Sequence, residues 1–230
     1  MLLRTQWCLV SILVAGLLSA VAGAAERPYT LSGELVQGGL VYGKALPGSR
    51  VSQDGQAVRV SDQGDFLLGF TRDAPATSQL RIELPDGKVE QRSLQVAARE
   101  YRIQRIDGLP KSKVTPRSPE DLARIRRDAV AVRKARVRDD DRQDFLGGFV
   151  WPVTGPISGV YGSQRILNGE PRRPHFGVDV AAAVGTPVRA PAAGVVTLAE
   201  PDLYFSGGTL IIDHGHKLTS SFLHLHKLHV

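Results

Sequence analysis

The stretch that decides the fold is PHFGVD, residues 174–179. Side chains two residues apart on an extended strand lie on the same face, so this pattern places His175, Gly177 and Asp179 side by side. Imidazole nitrogen and carboxylate oxygen both bind zinc, at about 2.0–2.2 Å, and the glycine leaves room between them. On spacing alone, a His–Asp hydrogen bond on a strand explains the pattern equally well.

A second segment, SFLHLH at residues 221–226, also has histidines at strand spacing. On an extended strand, His224 and His226 share a face with Phe222, and the two leucines between them fill the core on the other side. Two histidines so placed can supply two metal ligands, or one ligand and one base. Taken alone, the segment is explained more simply by two solvent-facing histidines.

The histidines are concentrated in one part of the chain. All six lie in its last quarter, a distribution that is typical of a metal or acid–base site rather than of scattered surface residues. They are His175, His214, His216, His224, His226 and His229. The sequence does not assign roles to His214, His216, His226 and His229.

The segment from Trp151 to Val230 resembles the lysostaphin/LytM-type zinc endopeptidases, which cut peptidoglycan cross-bridges or stem peptides and have the duplicated-hybrid-motif fold. HFGVD at 175–179 matches their first metal motif, His-x-Gly-x-Asp, and SFLHL at 221–225 resembles their Tyr-x-His-Leu element. Several motifs occur in the family's order over the C-terminal third of the chain. The supporting segments are WPV (151–153), GPIS (155–158), YGSQR (161–165), GTPV (185–188), APAAGVV (190–196) and GGTLIIDHG (207–215).

The resemblance implies a role for each matching residue. His175 and Asp179 would be two of three protein ligands of Zn²⁺, and His224 would be catalytic, acting on the attacking water or on the tetrahedral intermediate. Zinc lowers the pKa of its bound water, which makes that water a nucleophile near neutral pH. A catalytic site also keeps one coordination position open. The expected activity is metalloendopeptidase cleavage of peptidoglycan peptide cross-links.

The chain departs from the family at its final motif, His-x-His, which supplies the third ligand. Only LHKLHV follows His224, and alignment on His224 places His226 in the next turn, not in that motif. The third ligand is therefore expected beyond Val230, in a domain that is C-terminally truncated. The alternative is a catalytically inactive LytM-like regulator that activates other cell-wall hydrolases.

Residues 28–107, the N-terminal module, read as a β-sandwich-like unit of short strands. Asp54-Gly55 and Asp86-Gly87 are hairpin signals, because glycine tolerates positive φ. The module has no histidine and is expected to be a spacer or binding module. Its β-prone runs are 31–36, 51–60, 66–70, 80–84 and 94–106, separated by turn-forming residues that include Gly43.

Residues 108–147 are predicted to be a basic linker and helix. Ser118 followed by Pro119, Glu120 and Asp121 is typical of a helix start. Charged residues surround a stripe at helical spacing, so we favour a solvated helix with one buried face over a polymer-binding patch. The stripe consists of Leu122, Ile125, Ala129 and Val132, and Asp139-Asp140-Asp141 is expected to end the helix.

Residues 1–24 have the form of a signal peptide, with Arg4, an apolar run and a small-residue cleavage site. The membrane is therefore expected to be met only during export, with the periplasm or cell envelope as destination, and the alternative is an uncleaved N-terminal anchor. The net charge of +6 suits anionic envelope polymers, and no aromatic-plus-basic surface favours nucleic acid. The sequence predicts a mainly β protein whose residues 148–230 form an incomplete antiparallel metallopeptidase domain of barrel-sandwich type, with oligomeric state left open.

Overall fold

The computed structural model of the protein describes residues 27–108 and 118–230. The chain is mainly β with several antiparallel sheets, which confirms the predicted fold class. The predicted signal peptide lies outside the described residues. Within them, no helix has both the length and the apolar character needed to cross a membrane.

The N-terminal module forms two antiparallel sheets around one core. The first has the order β1-β2-β5, with β1 at Tyr29–Ser32, β2 at Leu40–Ala45 and β5 at Asp65–Gly69. The second has the order β4-β3-β6-β7, with β3 at Arg50–Gln53, β4 at Gln56–Val58, β6 at Thr77–Glu83 and β7 at Val89–Gln95. Both sheets contribute side chains that are at most 1% exposed: Val41, Phe66, Leu68, Leu80, Ile82 and Leu94.

One predicted turn of this module is present in the structure, whereas a break predicted at Gly43 is not. Asp54 and Gly55 join β3 to β4 with φ values of 49° and 79°, as expected for a two-residue hairpin. Gly43, which the sequence marks as a break, instead lies inside β2. It pairs with Phe66 on β5, and the Phe66 ring fills the space where a Cβ would stand. Ring packing therefore explains a glycine in mid-strand.

The C-terminal region contains three further small sheets. β9 (Ile157–Gly159) pairs with β12 (Asp179–Val180), and β13 (Val195–Leu203), β14 (Gly207–Asp213) and β15 (Thr219–Leu225) form an antiparallel sheet. The third sheet has the order β11-β10-β8, with β8 at Ile103–Ile106, β10 at Gln164–Leu167 and β11 at Glu170–Pro171. Because β8 pairs in parallel with β10, the end of the N-terminal module is joined to the C-terminal region by backbone hydrogen bonds.

The connector contains the predicted helix, α1, at Pro119–Arg136, and a 3₁₀ turn at Asp144–Gly147. The Ser118 hydroxyl accepts a hydrogen bond from the Asp121 amide at 3.0 Å, which confirms the predicted N-cap. The predicted buried stripe is wrong in part. Leu122 is 40% exposed and Ala129 is exposed, whereas Ala135 is the buried residue. Near its start, α1 meets β13 through the ion pair of Arg124 with Asp202.

Candidate metal centre

The structure brings His175 and Asp179 together. The His175 Nε2 atom lies 3.0 Å from an Asp179 carboxylate oxygen, and the two side chains are 33% and 58% exposed. The sequence predicted that these residues share a face of a continuous strand. Only Asp179 belongs to a strand, β12, and residues 172–178 form an extended loop with a bend at Gly177. The pairing is therefore as predicted, although the secondary structure around it is less regular.

A tight turn at residues 160–163 holds the backbone and ring of His175. The Gly162 amide donates to the His175 carbonyl at 2.7 Å, and the His175 amide donates to the Ser163 carbonyl at 2.8 Å. The Nδ1 atom of the ring lies 3.2 Å from the Val160 carbonyl oxygen. Gly162 has φ of 82°, a left-handed conformation that glycine adopts without strain. Three contacts from one turn thus fix where His175 Nε2 points.

The Asp179 carboxylate rests on a glycine of the neighbouring strand. Gly159 on β9 pairs with Asp179 on β12, and a Cβ at position 159 would overlap the Asp179 carboxylate. The side chain of residue 159 must therefore be absent for Asp179 to face His175. Sequence reasoning missed Gly159. The sequence feature that could have revealed it is a glycine inside a strand, because such a glycine often marks the close approach of another group.

The electrostatics of the pair call for a proton or a cation between the two side chains. A carbonyl oxygen only accepts, so Nδ1 of His175 carries the hydrogen in its contact with Val160. In the neutral imidazole Nε2 is then an acceptor, and it faces the Asp179 carboxylate, also an acceptor, at 3.0 Å. Two acceptors at that distance repel each other unless a proton or a cation lies between them. Donation of the second ring N–H to a backbone carbonyl is also the usual orientation of metal-bound histidine.

The pair fits two positions of a tetrahedral zinc site. Ligand atoms about 2.0–2.2 Å from zinc stand about 3.3–3.6 Å from each other, close to the 3.0 Å observed between Nε2 and the carboxylate oxygen. Within residues 27–108 and 118–230, no group of three or more His, Cys, Asp or Glu side chains is arranged to hold a metal ion. Among the described residues, the pair thus offers two candidate ligand atoms, with no third such side chain grouped with them.

His224 lies on an irregular part of β15. The pairing of β14 with β15 shifts between Leu210↔Phe222 and Gly208↔Leu225, and His224 has φ of 59°. Its amide donates to the Ser206 carbonyl at 2.8 Å, and its side chain is exposed. The prediction that Leu223 fills the core is therefore wrong. The bulge interrupts the alternation of side chains between the two faces of β15, and Leu223 is 49% exposed. In the described part of the chain, no hydrogen bond or ion pair joins His224 to His175 or Asp179.

His214 and His216 are buried in the turn between β14 and β15. His214 is fully buried, with Nδ1 2.5 Å from the Ala193 carbonyl and Nε2 2.9 Å from the Ser220 hydroxyl, so its ring is structural. His216 is 8% exposed, and neither of its ring nitrogens has a hydrogen-bond partner among residues 27–108 and 118–230. Burial, together with the nearby Arg59 charge, lowers the pKa of His216. Clustering of histidines in sequence therefore overstated the number that can serve a metal.

Comparison with known proteins identifies the C-terminal region. Residues 173–230 match the model of peptidase family M23. The chain is 33% identical over 83 residues to a Lipoprotein NlpD/LppB homolog of Pseudomonas aeruginosa, which spans 36% of this chain and 26% of that protein. A crystal structure of a P. aeruginosa protein assigned to peptidase M23 is similar with a TM-score of 0.59 and 27% identity, over 86% of this chain and 76% of that one.

The C-terminal part of this chain is thus similar to peptidase family M23. This confirms the resemblance to LytM-type proteins drawn from the motifs. The M23 match begins two residues before His175 and includes His175, Asp179 and His224. The likenesses support a peptidase-like or LytM-like function in the cell envelope. The roles of the three residues stay predictions.

Proposed function

We propose that this protein is a zinc-dependent metalloendopeptidase that acts on peptidoglycan peptide cross-links in the periplasm. The observation that carries the proposal is the pair of facing acceptors, His175 Nε2 and the Asp179 carboxylate, 3.0 Å apart. A divalent cation between them removes their repulsion, and zinc accepts both atom types.

Bound zinc would activate a water molecule and polarise the carbonyl of the scissile peptide bond. His175 and Asp179 hold the metal, with the ring of His175 fixed by the Val160 carbonyl. His224 has an exposed imidazole on a bulge, where it is able to accept a proton from the attacking water. The exposure of Asp179 and His175 leaves the centre open to a polymeric substrate.

Zinc binding and muropeptide hydrolysis, measured in the wild-type chain and in three variants, test this proposal. His175→Ala is expected to abolish both zinc binding and hydrolysis. His224→Ala is expected to abolish hydrolysis but to keep zinc binding. His229→Ala, the matched control, changes another exposed histidine and is expected to leave both unchanged. Hydrolysis that persists in His175→Ala would contradict the site assignment.

The alternative function is that of an inactive LytM-like regulator that binds and activates another cell-wall hydrolase. It is favoured by the absence of a third metal ligand among residues 27–108 and 118–230. Under this alternative the chain binds peptidoglycan or a hydrolase without cleaving muropeptides, and His224→Ala has no effect on stimulation of that hydrolase. The His224 variant therefore separates the two functions.

A further inference from the structure

Arg72 of the N-terminal module is buried against the turn that holds His175. Its side chain is 8% exposed, and its Nε donates to the Gly162 carbonyl at 2.8 Å. The guanidinium also lies 4.2 Å from the centre of the Tyr101 ring and pairs with Asp73 at 2.6 Å. A buried guanidinium is costly unless its donors are used. Arg72 meets that requirement by binding a backbone carbonyl ninety positions away in the chain.

Tyr101 contacts both Arg72 and Gly162, the two residues that this hydrogen bond joins. Its hydroxyl donates to the Arg72 carbonyl at 2.9 Å, and its ring lies against Gly162 so closely that a Cβ there would overlap it. The neighbouring Tyr161 ring packs in the same way on Gly38 of the N-terminal module. Aromatic rings thus lock the module and the turn together, and Arg72 supplies the hydrogen bond between them.

The hydrogen bond from Arg72 is accepted by the central peptide unit of the turn that holds His175. Gly162 donates its amide to His175, Ser163 accepts from the His175 amide, and the Gly162 carbonyl bound by Arg72 belongs to the peptide unit between them. A change in the orientation of that peptide unit therefore moves both hydrogen bonds of the His175 backbone.

We propose that Arg72 is a positioning residue for His175, and that the N-terminal module forms part of the outer support of the metal centre. Groups that orient a metal ligand through a second hydrogen bond contribute to metal affinity. Arg72 does not contact His175 itself, and it orients His175 by binding the turn at residues 160–163. The metal role of His175 rests on the proposed function, whereas the hydrogen-bond connection from Arg72 to His175 does not.

The test measures amide hydrogen exchange and zinc affinity in the full chain. Arg72→Met removes the donor and keeps the length of the side chain. We expect about tenfold faster exchange of the His175 and Gly162 amides and about tenfold weaker zinc binding. Exchange in β6, for example at Ile82, should be unchanged. Arg72→Lys, which keeps a donor, should recover part of the protection.

The matched control is Arg81→Met, which removes an arginine from an exposed position on β6, where it pairs with Glu83. Neither exchange at His175 nor zinc affinity should change in this variant. If Arg72→Met does not fold, Tyr101→Phe removes only the hydroxyl bond to the Arg72 carbonyl, and a smaller effect in the same direction is expected.

Three results are decisive. Unchanged exchange at His175 in a folded Arg72 variant overturns the proposal. Faster exchange with unchanged zinc affinity also overturns it, because positioning would then have no consequence for the metal. If the wild-type chain binds no zinc through His175, the proposed function fails, while the exchange data still decide whether Arg72 orders the turn.

Discussion

Gly159→Ala probes the metal centre with a single added methyl group. Gly159 does not have positive φ, so alanine fits the backbone, but its Cβ would overlap the Asp179 carboxylate. Because Asp179 is 58% exposed, the carboxylate can rotate away from His175 into solvent. That movement costs about 0.5–1.5 kcal/mol if the side chain leaves its preferred rotamer. The expected loss of Tm is then about 1–6 °C, at about 2–4 °C per kcal/mol for a chain of this size.

The effect on zinc should be much larger than the effect on stability. Rotation of Asp179 removes one of the two ligands that the described residues supply, so we expect zinc affinity to fall by about tenfold to a hundredfold, as for other disturbed ligand supports. Competition against a chromophoric chelator measures the affinity, and thermal unfolding measures the stability. His175→Ala defines the signal that comes from the other histidines.

Gly69→Ala is the control for this experiment. Gly69 also lacks positive φ, and a Cβ there would meet no atom within 4 Å. The control should change neither zinc affinity nor Tm. Wild-type zinc affinity in Gly159→Ala would show that Asp179 does not need its present position to bind metal, which would refute the assignment of the pair.

Three further predictions concern buried groups outside the proposed ligand pair. Because burial and the nearby Arg59 lower the pKa of His216, the folded protein takes up this proton less readily than the unfolded chain, and stability should fall as the pH drops below about 6.5. His216→Asn, which tolerates the positive φ, should make the decline of Tm between about pH 7 and pH 5 shallower. Ser220→Ala should cost about 1–3 kcal/mol in denaturant unfolding, because it leaves Nε2 of the buried His214 without its partner. Phe66→Ala should cost about 3–5 kcal/mol, and an unchanged midpoint would contradict the assigned core.

The fold was predictable where a local rule decides the conformation. The Asp54-Gly55 hairpin and the Ser118 cap each depend on neighbouring residues only, and both are present. Errors arose where a distant residue overrides local preference. Gly43 was interpreted as a break because its partner, the ring of Phe66, is invisible to a local pattern. Leu122 was placed on a buried face, but this part of α1 meets β13 through the ion pair of Arg124 with Asp202, and Leu122 is 40% exposed.

The candidate site shows the same division. His175 and Asp179 were proposed as ligands because HFGVD resembles the family's metal motif, and the structure places the two side chains 3.0 Å apart, while their metal role stays a prediction. The groups that orient them could not be found in this way, since the carbonyls of Val160 and Ser163 are backbone atoms with no residue signature. Leu223 was misplaced because a bulge shifts every later side chain of its strand, and no turn residue announces it.

The contacts of Arg72 change how the N-terminal module should be understood. A module that acts only as a spacer would need no contacts with the C-terminal region. This module pairs its strand β8 with β10, and its buried Arg72 binds the turn that holds His175. Separation of the two regions would break the hydrogen bond between the buried Arg72 guanidinium and the Gly162 carbonyl. The loss of that bond makes separation costly in free energy. The module and the metal centre are therefore expected to order together. Any partner that pulls the module away from residues 160–163 should weaken metal binding without touching a ligand.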